Sequence, residues 1–374
     1  MMGSESYTLG LTYRRVRSST APKRSLCSVL AFSDGEILVL GGWDIVQGRT
    51  AEVSASTDGG VTWTVRNANP GWTPRIQSCA VALTGDSLLL LGGYDGDYRS
   101  DIWTSGDRGR SFRLVQASAP WQGRAEFSAV ADYAGNLLVL GGRTVGDPWR
   151  LLGDVWRSSD CGITWQCVCS KAPWTPRAGA LLLALKAPTG IMGSAALATS
   201  ASGVAAVSLA AAPLILISGS TAEFPNGARE IWQTHDFGCT WKKLGTPQFS
   251  GRRDALGVAD DGGEILVMGG VEGPRCLSEV WVSSDAGSSW KRRPDLPVVD
   301  RVFAGAVAAK GRLVLLGGED TWGQPCAEIW KSDPDVTEAR NSARDLIKLA
   351  VKLPLPMAVW KEGVMRFVLK MDLL

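Results

Sequence analysis

Histidine is almost missing: the 374 residues contain one, His235. A single imidazole cannot build the His-rich centres that hold copper or zinc. It also leaves Ser-His-Asp or Cys-His catalysis with no base other than His235 itself. That residue occupies a variable position in a hairpin turn and is expected to be solvated. Long apolar runs are missing too. The nearest candidate, Ile191 to Ile217, is diluted by Ala, Gly and Ser, and Met1 to Thr20 holds no apolar stretch of signal-peptide length. The net charge of +2 is too small to imply a nucleic-acid or membrane partner through bulk charge. The expectation is a soluble, cytoplasmic, monomeric protein with no integral membrane span. The eight cysteines are scattered, and only Cys167 and Cys169 lie close together. No second pair stands at a zinc spacing, so reduced thiols are expected rather than a disulfide framework or a metal site. No glycine loop precedes a helix to cradle a phosphate. Nothing in these absences calls for a cofactor.

What the chain does have is glycine in pairs. Gly41-Gly42, Gly92-Gly93, Gly141-Gly142, Gly269-Gly270 and Gly317-Gly318 each follow a short apolar run, and Ser218-Gly219 follows Leu214 to Ile217 as a degenerate copy. The pairs recur about every 50 residues, with one longer interval that carries an insert. Each unit opens on an Arg and a small-residue strand, turns at Gly or Asp, and runs an apolar strand into the glycine pair. A loop then leads to an acid-aliphatic-Trp strand: Asp101-Ile102-Trp103, Asp154-Val155-Trp156, Glu230-Ile231-Trp232, Glu279-Val280-Trp281 and Glu328-Ile329-Trp330. In the first unit Glu52-Val53 is followed by Ser54. A hairpin and a last strand close the unit, which makes four strands.

The hairpin has its own signature, Ser-x-Asp-x-Gly-x-Thr-Trp, at Ser56 to Trp63 and Ser158 to Trp165, with looser copies at Ser105 to Phe112, Thr234 to Trp241 and Ser283 to Trp290. Its aspartates, Asp58, Asp107, Asp160, Asp236 and Asp285, can accept bonds from turn amides and hydroxyls, while the glycine permits positive φ.

The glycine-pair strand with a downstream Trp resembles kelch repeats, and the hairpin resembles the Asp-box of sialidases and other propellers. Together the resemblance covers roughly residues 6–333. It implies an all-β, six-bladed β-propeller of four-stranded blades around a central channel. The sixth unit lacks a hairpin after Trp330. Residues 6–18 carry a degenerate one, with Thr8 and Tyr13 in the Asp and Trp places, and are expected to supply the outermost strand of the last blade. The domain reading is therefore 1–333 propeller, with a low-complexity flexible insert at 186–212 in the fourth repeat. A C-terminal helical tail at 334–374 follows. In the tail Ala343, Leu346, Ile347 and Ala350 share a helical face, and after Pro354 and Pro356 so do Met357, Trp360, Val364, Phe367 and Met371. Such a tail can dock on the propeller, bind a partner or lie on a membrane.

The resemblance does not settle function, because propellers host enzymes as well as binders. The galactose-oxidase relatives of kelch proteins need two His and two Tyr for copper. Sialidases need an arginine triad, a Tyr nucleophile with a Glu partner, and an acid/base Asp. Pro74-Arg75-Ile76 has the residue types of a sialidase arginine motif in the wrong order, and no Tyr–Glu pairing is readable. What remains is an arginine at the opening of every unit: Arg24, Arg75, Arg124, Arg177, Arg253 and Arg301. They lie 16 or 17 residues before the glycine pair, or 41 where the insert intervenes. Six guanidinium groups at a channel mouth would bind an acidic peptide through paired carboxylate contacts. Alternatively each pairs internally with the acid before Trp. The expectation is a non-catalytic scaffold that binds a protein or acidic peptide. The mouth would be helped by the loops Trp43 to Thr50, Tyr94 to Ser100, Arg143 to Leu152 and Glu319 to Pro325. A sialidase-like or glycosidase-like hydrolase is the alternative.

Overall fold

A computed structural model describes residues 13–83, 85–131, 136–146, 150–185, 196–197, 213–259, 263–296, 302–309, 312–319 and 324–332. The tail at 334–374, most of the insert at 186–212, and residues 6–12 lie outside these.

The apolar runs become the second strand of each of six antiparallel sheets with four principal strands. In the first sheet Ser28–Ala31, Ile37–Leu40, Val53–Ser56 and Thr64–Asn67 lie side by side in chain order. The second uses Cys79–Ala82, Leu88–Tyr94, Tyr98–Ser105 and Arg113–Gln116; the third Ser128–Ala131, Leu137–Leu140, Val155–Ser158 and Gln166–Cys169. The fourth uses Leu181–Ala184, Leu214–Ile217, Ile231–Thr234 and Lys242–Lys243, so the insert does fall between its first two strands. The fifth holds Leu256–Ala259, Ile265–Met268, Val280–Ser283 and Lys291–Arg293. A short piece of the insert, Ala196–Leu197, pairs with Val258 and Ala259 on its inner side. The sixth departs from chain order: Val302–Ala309, Arg312–Glu319 and Ile329–Ser332 are completed by Tyr13–Val16, with Tyr13 opposite Ser332 and Val16 opposite Ile329.

The second strands are buried on both faces, which explains why they are runs of Leu, Ile and Val rather than alternating patterns. Leu38, Leu88, Leu138, Ile215, Val267 and Val314 are all fully buried, each contributing roughly 1.5–3 kcal/mol relative to exposure. Neighbouring sheets converge at the first strands, most of which are rich in small residues, with Leu181–Ala184 (Leu-Leu-Leu-Ala) the exception. Ser28–Ala31 neighbours Cys79–Ala82, which neighbours Ser128–Ala131, and so on through Leu181–Ala184, Leu256–Ala259 and Val302–Ala309 back to Ser28–Ala31. This closed cycle of inner strands fits a β-propeller.

The glycine pairs are required by backbone geometry. Gly142 has φ +94°, and a Cβ there would lie 2.7 Å from Cβ of Phe127 and 2.8 Å from the Ala125 carbonyl. The chain at the sheet's end thus passes flush against the opening of the first strand. The degenerate copy is strained: Ser218 takes φ 56° where its counterparts are glycine, and its buried hydroxyl finds no partner among the described residues.

Candidate functional site

The repeated arginine is a structural bolt. Arg75 is 1% exposed and donates to both oxygens of Asp101, at 2.6 and 2.9 Å, and to the Gly92 carbonyl at 3.0 Å. Arg124 repeats this with Asp154 (2.9 and 2.8 Å) and the Gly141 carbonyl, and Arg177 with Glu230 (2.7 Å) and the Ser218 carbonyl. Arg24 pairs with the carboxylate of Glu52. The acid is shared with the tryptophan two residues on. Indole N–H groups of Trp103, Trp156, Trp232 and Trp281 donate to Asp101, Asp154, Glu230 and Glu279 at 2.7–3.1 Å. In the first sheet the Ser54 hydroxyl takes the indole's place on Glu52 at 2.8 Å. A second aromatic covers the guanidinium: Trp72, Trp121, Trp174 and Phe249 lie 5.0–6.0 Å from Arg75, Arg124, Arg177 and Arg252. Burial opposes ionisation of Glu230, but bonds from Lys243, Arg177 and Trp232 outweigh it and hold the carboxyl down at about 2.

Two readings of the arginine ring change here. Its fifth member is Arg252, fully buried and 2.8 Å from Glu279. Arg253 instead is partly exposed and pairs with Asp254 at 2.8 Å. The spacing shows why: Arg252, like Arg24, Arg75 and Arg124, stands 17 residues before its glycine pair, whereas Arg253 and Arg301 stand 16 before theirs. Position 300, at the 17-residue distance in the sixth unit, is Asp. Arg301 lies outside the described residues. Glu328, the sixth acid, meets Arg15 of the N-terminal strand at 2.7 Å. Arg24, Arg75, Arg124 and Arg177 spend their donors inside the sheets and do not form an open positive ring.

The hairpin aspartates close their own turns between third and fourth strands. Asp58 accepts from the hydroxyls of Ser56 (2.8 Å) and Thr62 (2.6 Å) and from the amides of Val61 and Thr62. Asp107, Asp160, Asp236 and Asp285 accept likewise from Ser105 and Ser111, Ser158 and Thr164, Thr234 and Thr240, and Ser283 and Ser289. Burial works to raise these carboxyls, but the hydroxyl and amide donors prevail and hold all five below the ordinary value. Each hairpin also packs on the preceding sheet. A Cβ on Gly60 would touch Ile329, on Gly109 Val53, on Gly162 Leu89, on Gly238 Val155 and on Gly287 Ile215. His235 is exposed in one of these hairpins.

Sequence reading missed the slot two residues after the buried arginine, just before the first strand of each sheet. It holds Leu26, Gln77, Glu126, Gly179 and Asp254, all at φ 53–61°. Neighbours are tied by backbone bonds: Gln77 N–H to Leu26 O, Gly179 N–H to Glu126 O and Asp254 N–H to Gly179 O, each 2.8–2.9 Å. Glu126 accepts from Gln77 and from Arg143, the latter at 2.9 Å. Burial first, and then the charge of Glu126, push Asp254 up to about 7 against the pull of Arg253 and Arg143. No repeat signal marks these residues because the slot changes identity in every unit; only its fixed offset from the arginine would have found it.

Because the strands alternate in direction, loops from second to third strands emerge at the same end of the molecule as this slot. They carry the exposed apolar side chains Trp43, Ile45 and Val46 in the first unit, Val145 in the third and Phe224 in the fourth. Trp43 lies opposite Ser25 at the opening of the first unit, and Arg49 stacks over Tyr94. The hairpins emerge at the opposite end.

No protein-family model matches the sequence, and no curated protein matches it. Among solved structures the chain is similar to one titled "Structure of YjhT": TM-score 0.60 and 15% identity, covering 85% of this chain and 95% of that one. At that identity the likeness speaks for the fold alone, and a propeller-like fold agrees with the cycle of sheets.

Proposed function

We propose that the chain is a six-bladed kelch-type propeller acting as a non-catalytic scaffold, monomeric and cytoplasmic, that binds a protein or peptide on the face carrying the inner opening. The observation that supports this most is that five of the nine exposed large apolar side chains among the described residues, Trp43, Ile45, Val46, Val145 and Phe224, sit on loops between second and third strands, which leave the sheets at one end; the others, Val61, Val65, Leu114 and Ile163, sit on hairpins and fourth strands. Exposed apolar residues gathered around a polar centre are what a partner covers, whereas scattered ones need no explanation. The buried arginine–acid pairs stiffen the loops' roots, so the loops rather than the arginines form the contact surface. Substituting Val46→Asp together with Phe224→Asp should abolish capture of whatever the wild-type protein binds in an affinity pull-down, with circular dichroism unchanged. A partner retained by the folded double variant would sink the reading. The hydrolase alternative draws on the two neighbouring carboxylates Glu126 and Asp254, because glycosidases work with such pairs. Turnover of a small aryl glycoside, lost in Glu126→Gln, would favour it.

A further inference from the structure

The outer strands carry a charge asymmetry that the loop face does not account for. In the fourth, fifth and sixth sheets the outermost strands are Lys242–Lys243, Lys291–Arg293 and Tyr13–Val16. Seven of their nine residues are Lys or Arg, and none is Asp or Glu. The outermost strands of the first three sheets, Thr64–Asn67, Arg113–Gln116 and Gln166–Cys169, hold two basic residues in twelve, Arg66 and Arg113. The three basic strands belong to consecutive sheets, since the inner strands of those sheets meet in that order. Arg17, also exposed, continues the strip past Val16. Lysine on a bare edge strand guards against edge-to-edge pairing. That need is the same in all six sheets, and the first three meet it without a lysine.

Ion pairs do not cancel the strip. Lys243 reaches Glu230, Arg15 reaches Glu328, Arg292 reaches Asp295 and Arg293 reaches Glu264. Glu230 is already matched by Arg177 from inside its sheet, which leaves three of these carboxylates against seven cations. The four paired bases are 37–60% exposed, and ion pairs that open to water hold loosely enough to exchange partners. The shape of the strip selects among polyanions. Each sheet of the cycle is turned from the last, so the three strands lie on a convex arc and a flat bilayer cannot meet them all. A nucleic-acid duplex, with a persistence length of about 50 nm, is too stiff to follow such an arc. A single strand bends, but it is gripped by stacking its bases on aromatic side chains. The exposed Trp and Phe side chains among the described residues, Trp43 and Phe224, sit on the loops between second and third strands instead. An acidic polypeptide meets the remaining conditions. It follows a curve, its carboxylates pair with guanidinium and ammonium groups, and its backbone can add to an outermost strand beyond which no further strand lies among the described residues.

We propose that Lys242, Lys243, Lys291, Arg292, Arg14 and Arg15 form a second interaction surface, separate from the loop face, that binds an acidic, extended polypeptide segment of a partner. The test is fluorescence anisotropy of the full chain with a labelled alternating Glu-Ser peptide, its Lys-Ser counterpart and an oligothymidylate of equal length, alongside sedimentation with phosphatidylserine vesicles. The Glu-Ser peptide should bind at low ionic strength and weaken steadily as salt is added. Changing Lys242→Glu, Lys291→Glu and Arg292→Glu together should weaken it about tenfold or more, with circular dichroism unchanged. Arg113→Glu, on the corresponding strand of the second sheet, should leave it as it is. Should the triple variant not fold, Lys242→Gln with Lys291→Gln takes its place, with a loss of about threefold expected. Absence of Glu-Ser binding at low salt overturns the proposal, as does equal binding of the Lys-Ser peptide. Tighter binding of the oligothymidylate or of the vesicles overturns it in favour of a nucleic acid or a membrane. Wild-type affinity in the folded strip variants, or an equal loss in Arg113→Glu, overturns the assignment to these strands.

Discussion

At the scale of single residues, the buried guanidinium is the most sensitive point in each sheet. Removing one partner of such a pair leaves an uncompensated charge in the interior, a loss of about 3–5 kcal/mol. Asp101→Asn should therefore destabilise the protein by about that amount in urea unfolding. The affinity of the fraction that remains folded should not change, since Arg75 is 1% exposed and bonded within its own sheet. Ser218→Gly should act in the opposite direction. It relieves a positive φ and removes an orphaned hydroxyl, raising stability by about 1 kcal/mol. Titration separates two classes of carboxyl. The hairpin aspartates are depressed, so their contribution is present above the ordinary Asp value of about 3.9 and is lost as pH falls through the folded values. Asp254 is raised, so its contribution is full below about 3.9 and fades as pH climbs to about 7. Thermal melting from pH 4 to 8 should show a declining component that Asp254→Asn removes. Its persistence in that variant would show that another group is responsible.

At the scale of elements, the unit of construction is the four-stranded sheet with a self-bonded hairpin that grips its predecessor. Asp160→Ala removes bonds from Ser158, Thr164 and the turn amide. It should cost about 1–2 kcal/mol, seen as a lower melting temperature with binding intact. Much of this was legible in the sequence because glycine pairs, acid-x-Trp strands and hairpin aspartates recur at fixed offsets, and backbone geometry forces the residue type each time. What was not legible has physical reasons. Arg252-Arg253 offers two guanidinium groups one residue apart, and only the offset from Gly269 decides which goes inside. The slot at Gln77, Glu126 and Asp254 keeps its positive φ but not its side chain, so its chemistry varies and leaves no period to detect. The pairing of Ala196–Leu197 with Val258 and Ala259 comes from a compositionally bland insert that carries no strand signal.

At the scale of the whole molecule, the sixth sheet has its fourth, outermost strand only because Tyr13–Val16 joins Ile329–Ser332. A chain lacking residues 1–18 should leave the edge of that sheet bare. It should melt several degrees lower, and amide exchange should accelerate first at Ile329–Ser332. If exchange there is unchanged, the sixth sheet does not depend on the N-terminal strand.

That pairing also sets a timetable during synthesis. Val16 leaves the ribosome long before its partner Ile329 exists. At translation rates of about 5–20 residues per second the early strand waits for roughly 15–60 s. Five sheets can assemble from strands contiguous in the chain while elongation proceeds, but the sixth cannot. Throughout that interval the nascent protein is an open arc with a sticky strand at one end.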